Sequence, residues 1–546
     1  MLASQKHAPP EDMNVRIASE YDDPLKPKGY RTFRCDTDSI KEALEEEVPY
    51  WRYWKAILID APPGRGKTSF VYEVLIPLAI KMNRNVLLVA NRNALSLQMK
   101  LDVMELIGSP LRDRLTDLGI RETDIFGSVG IVSYHSLPRF LNDPENEDWL
   151  DNVEYVVADE CHYFTSDSSF NNLTEWHLKL ITKHFKRAIR VYMTGTSWDV
   201  LRPIADAEMA IKYDKERACK IHLDREIIRY HWEQDHSHVD LRFFRDLEEI
   251  KQLIVGNPNE KYMIFVDSRD SGRALADALG KDRATYLDAE SKGTKAMSKL
   301  LKENHFDTRV LVTTKVLDCG VNCWDENLHN VVVMADDRVS MIQMLGRKRR
   351  KPGERVRLYV CDMNPKIISK RYCDGQELLS AKARYNEADE EERRRMAREF
   401  WRNDDLRFRR YFSLTDQHGI LPNKVAFWAL EKKDYFYRKL LDEGLTFREA
   451  VCSWLGKNLE PDEVPAEELT AFCEAHLGQE LNEEEIVTVR KLIVKTAVAK
   501  GYLEPQPTRV ATLGQEALNN RLSKVESPYR FEKKRWVILK EEKCDV

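Results

Sequence analysis

The sequence predicts an α/β fold: two parallel-sheet domains in tandem, followed by a mostly α-helical C-terminal region. Short apolar, β-branched runs alternate with helix-length segments between residues 56 and 360, and they fall into two sets of five. Runs that lack polar alternation are strands buried on both faces, as in parallel sheets covered by helices. Beyond about residue 365 such runs largely stop.

The first set is "AILID" (56–60), "VLLVA" (86–90), "VGIVS" (129–133), "YVVA" (155–158) and "IRVYM" (189–193). The second is "YMIFV" (262–266), "ATYL" (284–287), "RVLVT" (309–313), "NVVVM" (330–334) and "VRLYV" (356–360). A polar stretch from about 200 to 245 holds the linker. The expected divisions are a mobile, polar lead-in over 1–35, a first sheet domain over 36–222, a second over 223–365, and an accessory region over 366–546. In that last region "EADEEERRRMAREFWR" (387–402) places acids first and bases last, with Glu391 and Arg395 at i, i+4, which stabilises an exposed helix. Residues 489–522 suggest a helix, a hairpin and another helix, resembling a winged helix. "FWRNDDLRFRRYF" (400–412) interleaves aromatics with arginines, a pattern able to stack bases. The favoured reading is an amphipathic helix with Phe408 and Phe412 in a core and Arg407, Arg409 and Arg410 in solvent.

The chain has 546 residues, 42% hydrophobic and 32% charged, enough for several globular domains. A formal net charge of −5 means that any surface for nucleic acid must be local. Ten cysteines are scattered, and the closest pair, Cys319 and Cys323, has no second pair nearby, so reduced thiols are expected rather than a zinc site. No apolar run reaches about 18 residues and the N-terminus lacks a hydrophobic signal core, so a cytoplasmic protein without a membrane partner is expected.

"APPGRGKTSF" (61–70) follows a strand and opens a helix, the setting of a phosphate loop. Gly64 and Gly66 let backbone N–H groups approach phosphate oxygens, Lys67 reaches the β/γ-phosphates and Thr68 holds Mg²⁺. "VVADECHYF" (156–164) closes another strand with adjacent carboxylates. Asp159 would sit at the metal, and Glu160 would orient and deprotonate an attacking water. In "QMLGRKRRK" (343–351), a helix over Asp337–Arg350 would put Gln343, Arg347 and Arg350 on one face, leaving Lys348 and Arg349 as surface charge.

These motifs resemble a superfamily 2 helicase, the group that includes DEAD-box and DEAH-box proteins. "APPGRGKT", "DECH" and "QMLGRKRR" fit its phosphate-loop, D-E-x-H/D and Q-x-x-G-R-x-x-R forms. "MTGTS" (193–197), "ANRNALSLQ" (90–98), "IVSYHSL" (131–137), "IFVDSRDSG" (264–272) and "LVTTKVLDCGVN" (311–322) resemble its remaining motifs, in order, over residues 50–365. The resemblance implies two RecA-like domains with ATP and Mg²⁺ between them. It implies nucleotide contacts from Pro63, Gly64, Arg65, Gly66, Lys67, Thr68, Ser69 and Gly320, and metal binding at Thr68 and Asp159. Catalysis would fall to Lys67, Asp159, Glu160, Gln343, Arg347 and Arg350, and coupling to His162, Thr194 and Thr196. Nucleic-acid contacts would come from Arg92, Ser133, Ser268, Arg269, Thr313 and Thr314. The expected activity is a nucleic-acid-dependent ATPase acting as a helicase or translocase, or else a nucleotide-gated switch for a protein partner. No Q-motif precedes the phosphate loop, and Gln343 replaces the DEAD-box histidine, which favours the DEAH-like and translocating branches. DNA is somewhat favoured over RNA, with a possible protein partner at the C-terminal region.

Overall fold

The computed structural model describes residues 15–17, 30–91, 93–109, 117–168, 170–211, 226–291, 294–314, 323–351, 353–402, 406–415, 419–442, 445–457, 463–499, 514–525, 527–532 and 535–540. Arg92 and Gly320 lie outside these residues. Contacts divide the chain into two units, one of residues 1–361 and 372–436, the other of 362–371 and 437–546.

The first unit holds both large sheets. The first runs, among the described residues, in the order β1-β2-β9-β3-β8-β7-β4-β6-β5. Its strands are β1 (Val15–Ile17), β2 (Tyr30–Cys35), β3 (Ala56–Asp60), β4 (Asn85–Ala90), β5 (Ile125–Phe126), β6 (Val129–Ser133), β7 (Val153–Ala158), β8 (Ile189–Thr194) and β9 (Ile227–His231). Only the outermost pairs, β1 with β2 and β5 with β6, are antiparallel. Every residue of β3, β6 and β8 is buried, which is why those runs show no alternation.

The second sheet is wholly parallel in the order β10-β15-β14-β11-β13-β12. It comprises β10 (Val239–Phe244), β11 (Lys261–Phe265), β12 (Ala284–Leu287), β13 (Val310–Thr313), β14 (Leu328–Val333) and β15 (Val356–Cys361). Two expected divisions move. Tyr30–Cys35 is a strand of the first sheet rather than part of a lead-in. β9 also joins that sheet, between β2 and β3, so the crossing to the second sheet is the short span from Trp232 to His238.

Residues 372–436 pack with the two sheets instead of forming a region apart. Phe400 stacks on Phe408 at 4.4 Å and Phe412 is fully buried, while Arg407 pairs with Asp374 and Glu377 at the surface. This is the core role expected for those aromatics. From the helix Lys424–Asp442, Trp428 donates to Asp199 O (3.0 Å), Lys432 to Trp198 O (2.7 Å), and Lys433 lies 3.5 Å from Asp336. Residues 198–199 follow the first sheet and Asp336 follows β14 of the second, so this one helix touches both.

The second unit contains the helices Phe447–Trp454, Glu463–Ala475, Glu483–Ala499 and Gln515–Lys524, and a hairpin of β18 (Tyr529–Phe531) with β19 (Ile538–Lys540). β16 (Phe412–Thr415) and β17 (Gly419–Pro422) form a separate hairpin in the first unit. The hairpin expected between the helices Glu483–Ala499 and Gln515–Lys524 lies outside the described residues; the hairpin β18–β19 follows the later helix, and Leu477 and Glu480 bridge to it at Ile538 and Val537.

The least forgiving core position is Arg190 in β8. It is fully buried, bonds Glu208 through Nε (2.8 Å) and Nη2 (2.8 Å), and caps Phe185 O and Ala188 O. Tyr192 donates to the same carboxylate at 2.6 Å. Arg190→Ala strands the Glu208 charge and is expected to lower stability by about 3–5 kcal/mol, measured by urea unfolding. An Arg190→Met, Glu208→Leu double variant should recover much of that loss, since neither charge is then left unpaired.

Candidate functional site

The loop after β3 turns through Gly64 (φ 90°) and Gly66 (φ 77°), left-handed conformations that side-chain-bearing residues rarely adopt. It delivers Lys67 to the start of a helix, where Nζ donates to Ala61 O at 2.7 Å. Thr68 and Ser69 are exposed on the first helical turn. Arg65 turns away, onto Asp38 at 3.2 Å and Thr37 O at 3.3 Å. Pro63 is flanked by two glycines. A Cβ on Gly195 would come within 3.6 Å of its ring, and one on Gly346 within 3.2 Å. Gly346 belongs to the second sheet domain, so that domain touches the phosphate loop itself.

The acidic pair follows β7. Asp159 is fixed by Tyr134, whose hydroxyl donates to Asp159 O at 2.9 Å, and its own Oδ1 accepts the Glu160 N–H at 2.9 Å. Glu160 has φ 47°, unusual for a residue with a side chain. That turn carries its Oε2 to 3.3 Å from His162 Nδ1. Burial presses both carboxyls upward. Asp159, facing the charge of Glu160, is held up at about 6. Glu160 is instead brought well below the usual carboxylate range, since His162, Lys67 and Arg347 outweigh its burial.

From this pair a run of polar contacts crosses the two sheet domains. His162 Nδ1 lies 3.2 Å from Thr194 Oγ1, which lies 3.4 Å from Thr196 Oγ1. Gln343 Nε2 donates to Thr196 Oγ1 at 3.3 Å, and Arg347 Nη2 donates to Gln343 Oε1 at 2.9 Å. The structure thus brings together Lys67, Asp159, Glu160, His162, Thr194, Thr196, Gln343 and Arg347. Arg338 adds a second crossing, its guanidinium 3.7 Å from the ring centre of Trp198.

Arg350 does not share the helix face expected of it. The helix ends at Leu345, because Arg347–Arg349 is pinned alongside Cys323 in an extended segment. Lys348 is not surface charge either: its side chain is 1% exposed and bonds Glu354 at 2.7 Å and Asp325 O at 2.8 Å. Arg350 is one of several groups that bear electrostatically on Asp235, in the crossing between the sheets. Arg349 interacts electrostatically with Arg347, Glu160 and Lys67.

The expected nucleic-acid contacts are more dispersed. Ser133 is buried and closes a turn with Ser136 (Oγ–Oγ 2.8 Å). Ser268 caps the helix Arg269–Leu279 by accepting from Ser271 N, and Arg269 pairs with Glu290 at 2.6 Å. Thr313 lies below the surface, its hydroxyl donating to Thr314 O at 3.2 Å, while Thr314 is half-exposed.

A group not anticipated from sequence surrounds Asp60, the last residue of β3. Fully buried, it accepts from Ser197 Oγ (2.7 Å) and Arg229 Nη2 (2.5 Å), with His231 Nδ1 at 2.7 Å. Its signal was an acid closing the apolar run "AILID", one residue before the phosphate loop. Burial pushes this carboxyl up, but Arg229 and His231 outweigh it and hold it far below the usual range.

Residues 36–198 match the family model described as "Type III restriction enzyme, res subunit". No curated protein matches the sequence. Among solved structures, the chain resembles the DUF1998 helicase MrfA bound to DNA and AMPPNP, at 15% identity and TM-score 0.41 over 58% of this chain and 48% of that one. It also resembles Mss116p bound to ssRNA and AMP-PNP, at 13% identity and TM-score 0.43 over 86% and 83%. Mycobacterium smegmatis Lhr bound to ssDNA and AMP-PNP aligns at 16% identity and TM-score 0.41 over 63% and 48%. The chain spans about half the length of MrfA and Lhr. The phosphate loop and the acidic pair, both at strand ends, lie within the stretch 36–198 that is similar to the restriction-enzyme family.

Asp60→Asn keeps the shape but leaves Arg229 facing a neutral amide. It is expected to cost about 3–5 kcal/mol near pH 7. A carboxyl with a depressed folded pKa contributes stability that is complete above its unfolded pKa of about 3.9 and is lost as pH falls through the folded value. Urea unfolding of both proteins from pH 7 to 3 should therefore show the gap narrowing below about pH 4. A gap that widens with acid would mean that Asp60 is not held ionised.

Proposed function

We propose that this protein is an ATP-driven nucleic-acid motor. Nucleotide closes the two sheet domains, hydrolysis releases them, and the cycle moves or unwinds a DNA or RNA strand. The observation that carries this reading is the unbroken run of polar contacts from Glu160 through His162, Thr194, Thr196 and Gln343 to Arg347. It joins the group that faces the attacking water to a cation on the other domain.

Lys67 and the loop N–H groups bind and orient the phosphates. Glu160 orients the attacking water, and Arg347 reaches from the second domain to the γ-phosphate. The oxygen donors fit Mg²⁺, a hard cation that takes one or two protein oxygens together with phosphates and water. Asp159, held up at about 6 by burial and by Glu160, is a carboxylate that a cation would relieve. Asp159 and Thr68 would hold the ion, which would neutralise charge on the β- and γ-phosphate oxygens. DNA is preferred to RNA as the strand, on the branch of the class that Gln343 resembles. Among the described residues no helix is long and apolar enough to cross a membrane.

ATPase rates of the full chain, measured in parallel with single-stranded DNA, duplex DNA and RNA, test the proposal. At least one nucleic acid should stimulate turnover, and its binding should weaken steeply with added salt. Flat rates across all of them would instead support a switch that acts on a protein partner. Lys67→Ala should abolish hydrolysis. Glu160→Gln should retain ATP binding while slowing turnover by about 10²–10⁴-fold. Loss of nucleotide binding in Glu160→Gln, as severe as in Lys67→Ala, would exclude the role given to Glu160.

A further inference from the structure

The helix Lys424–Asp442 follows both sheet domains in sequence but is built against the first. Val425, Trp428 and Lys432 fall at i, i+3 and i+7 and share one face. Val425 is buried in the core of the first sheet. At the helix start, Lys424 N donates to Glu175 Oε2 at 2.6 Å and Asn423 Nδ2 to Asn172 O at 3.3 Å. Trp428 Nε1 donates to Asp199 O (3.0 Å), and Lys432 Nζ donates to Trp198 O (2.7 Å) and Asp199 Oδ1 (2.8 Å). From behind, Glu431 pairs with Lys382 at 2.6 Å and Asp434 accepts from Gln376, both on the helix Pro365–Glu387.

Four consecutive residues of the turn that this helix grips have four different long-range partners. Thr196 meets Gln343, Ser197 meets Asp60, the Trp198 ring meets Arg338, and Asp199 meets Lys432. Gln343 and Arg338 both lie on the helix Arg338–Leu345 of the second sheet domain. Lys433, one position after Lys432 and about 100° round the helix, faces the start of that same helix. Its Nζ is 3.5 Å from Asp336 Oδ1 and 3.9 Å from Asp337 Oδ2, and Asp337 caps the helix by accepting from Ser340 N at 2.8 Å. Adjacent lysines thus hold the two halves of the Thr196–Gln343 contact, one on each domain. Their bonds differ in kind. Lys432 is 22% exposed and makes short charge-assisted bonds, whereas Lys433 is 42% exposed in a looser pair. The end on the first domain is fixed, and the end on the second is releasable.

We propose that Lys432 and Lys433 are positioning residues for the cleft, Lys432 holding the turn that carries Thr196 and Lys433 drawing the Gln343 helix up to it. The proposal rests on the ATPase reading above. Neither lysine belongs to the phosphate loop or the acidic pair. Each acts through the Thr196–Gln343 contact, the link at which the polar run from Glu160 to Arg347 passes between the domains. An element beyond the second sheet thereby sets how often that run is complete.

The test measures kcat and KM for ATP in the full chain, with the nucleic acid that stimulates the wild type most, and ADP affinity with a fluorescent ADP analogue. Lys432→Ala should lower kcat about tenfold, the worth of one hydrogen bond to a charged group, with ADP affinity unchanged because the phosphate loop is untouched. Lys432→Arg, which keeps the charge, should recover most of that loss. Should Lys432→Ala fail to fold, Lys432→Met, of similar length, carries the comparison. Lys433→Glu should raise KM about 2–5-fold, as should Asp336→Lys, and the exchange Lys433→Glu, Asp336→Lys should return it to the wild-type value. Lys299→Glu, which breaks an exposed pair with Asp307 on the second domain, controls for net charge and should change neither constant. Full turnover in Lys432→Ala or Lys432→Met, or a charge exchange no better than its single variants, would overturn the inference and leave the ATPase reading intact. So would a loss of ADP affinity as large as the loss of turnover, since Lys432 would then serve only the fold of the first domain. A wild-type chain that hydrolyses no ATP with any nucleic acid would remove the reading itself and this inference with it.

Discussion

One buried carboxylate holds together the edge of the first sheet from which the glycine-bearing loop springs. Asp60 ends β3, and the phosphate loop begins at the next residue. Its side chain gathers Ser197 from the turn after β8 and Arg229 and His231 from β9, while its carbonyl accepts Trp232 N at 3.0 Å. Burying a charge is costly unless it is paired and hydrogen-bonded. Here three donors converge on it, so the ionised form survives at full burial. The result is mechanical. The glycine-bearing loop after β3, the turn that meets the second domain and the strand that leads into the crossing segment cannot shift independently. Gln234, two residues into that crossing, donates to Gly195 O and ties it to the same turn.

Against that rigid edge, the two sheet domains meet, among the described residues, at discrete contacts. Gln343 meets Thr196, Arg338 lies over Trp198, Gly346 abuts Pro63, and Lys433 on the helix Lys424–Asp442 reaches Asp336. A hydrogen bond of this kind contributes about 0.5–1.5 kcal/mol net, and an exposed ion pair less. A handful of them is a free-energy difference that differential binding of a nucleotide can reverse.

The strands that could be read from sequence are those buried on both faces, where β-branched runs such as "VLLVA" and "VGIVS" have no polar interruption. β2 ("YRTFRC") and β9 ("IIRYH") escaped because arginine and tyrosine interrupt them. Both lie on the side of the sheet reached after β3, where one face is less covered. Their absence from the reading misplaced both ends of the first domain. The phosphate loop and the DECH residues were legible because each is local, a few consecutive residues whose spacing already encodes the geometry. The Asp60 group was not. Its members are residues 60, 197, 229 and 231, joined only by the order β9-β3-β8 in the folded sheet. The end of the helix was misplaced for a different reason. Helical periodicity was carried five residues past Leu345, where pairing with Cys323 replaces a period of 3.6 with a period of 2.

The two carboxylates of the DECH motif occupy opposite electrostatic conditions, and this constrains the chemistry. Asp159 is held up by burial and by the charge beside it, whereas Glu160 is kept ionised by His162, Lys67 and Arg347. A carboxylate so strongly stabilised is a weak base. It orients a water well but draws a proton from it only late. Phosphoryl transfer tolerates this, since its loose transition state develops charge mainly on the phosphoryl oxygens and requires little early deprotonation of the nucleophile. On the ATPase reading proposed above, most of the rate would then come from cations placed around those oxygens, Lys67 from the first domain and Arg347 from the second. Hydrolysis would thereby depend on the two domains being together, because the groups that would stabilise the transferring charge lie on both sides of the cleft.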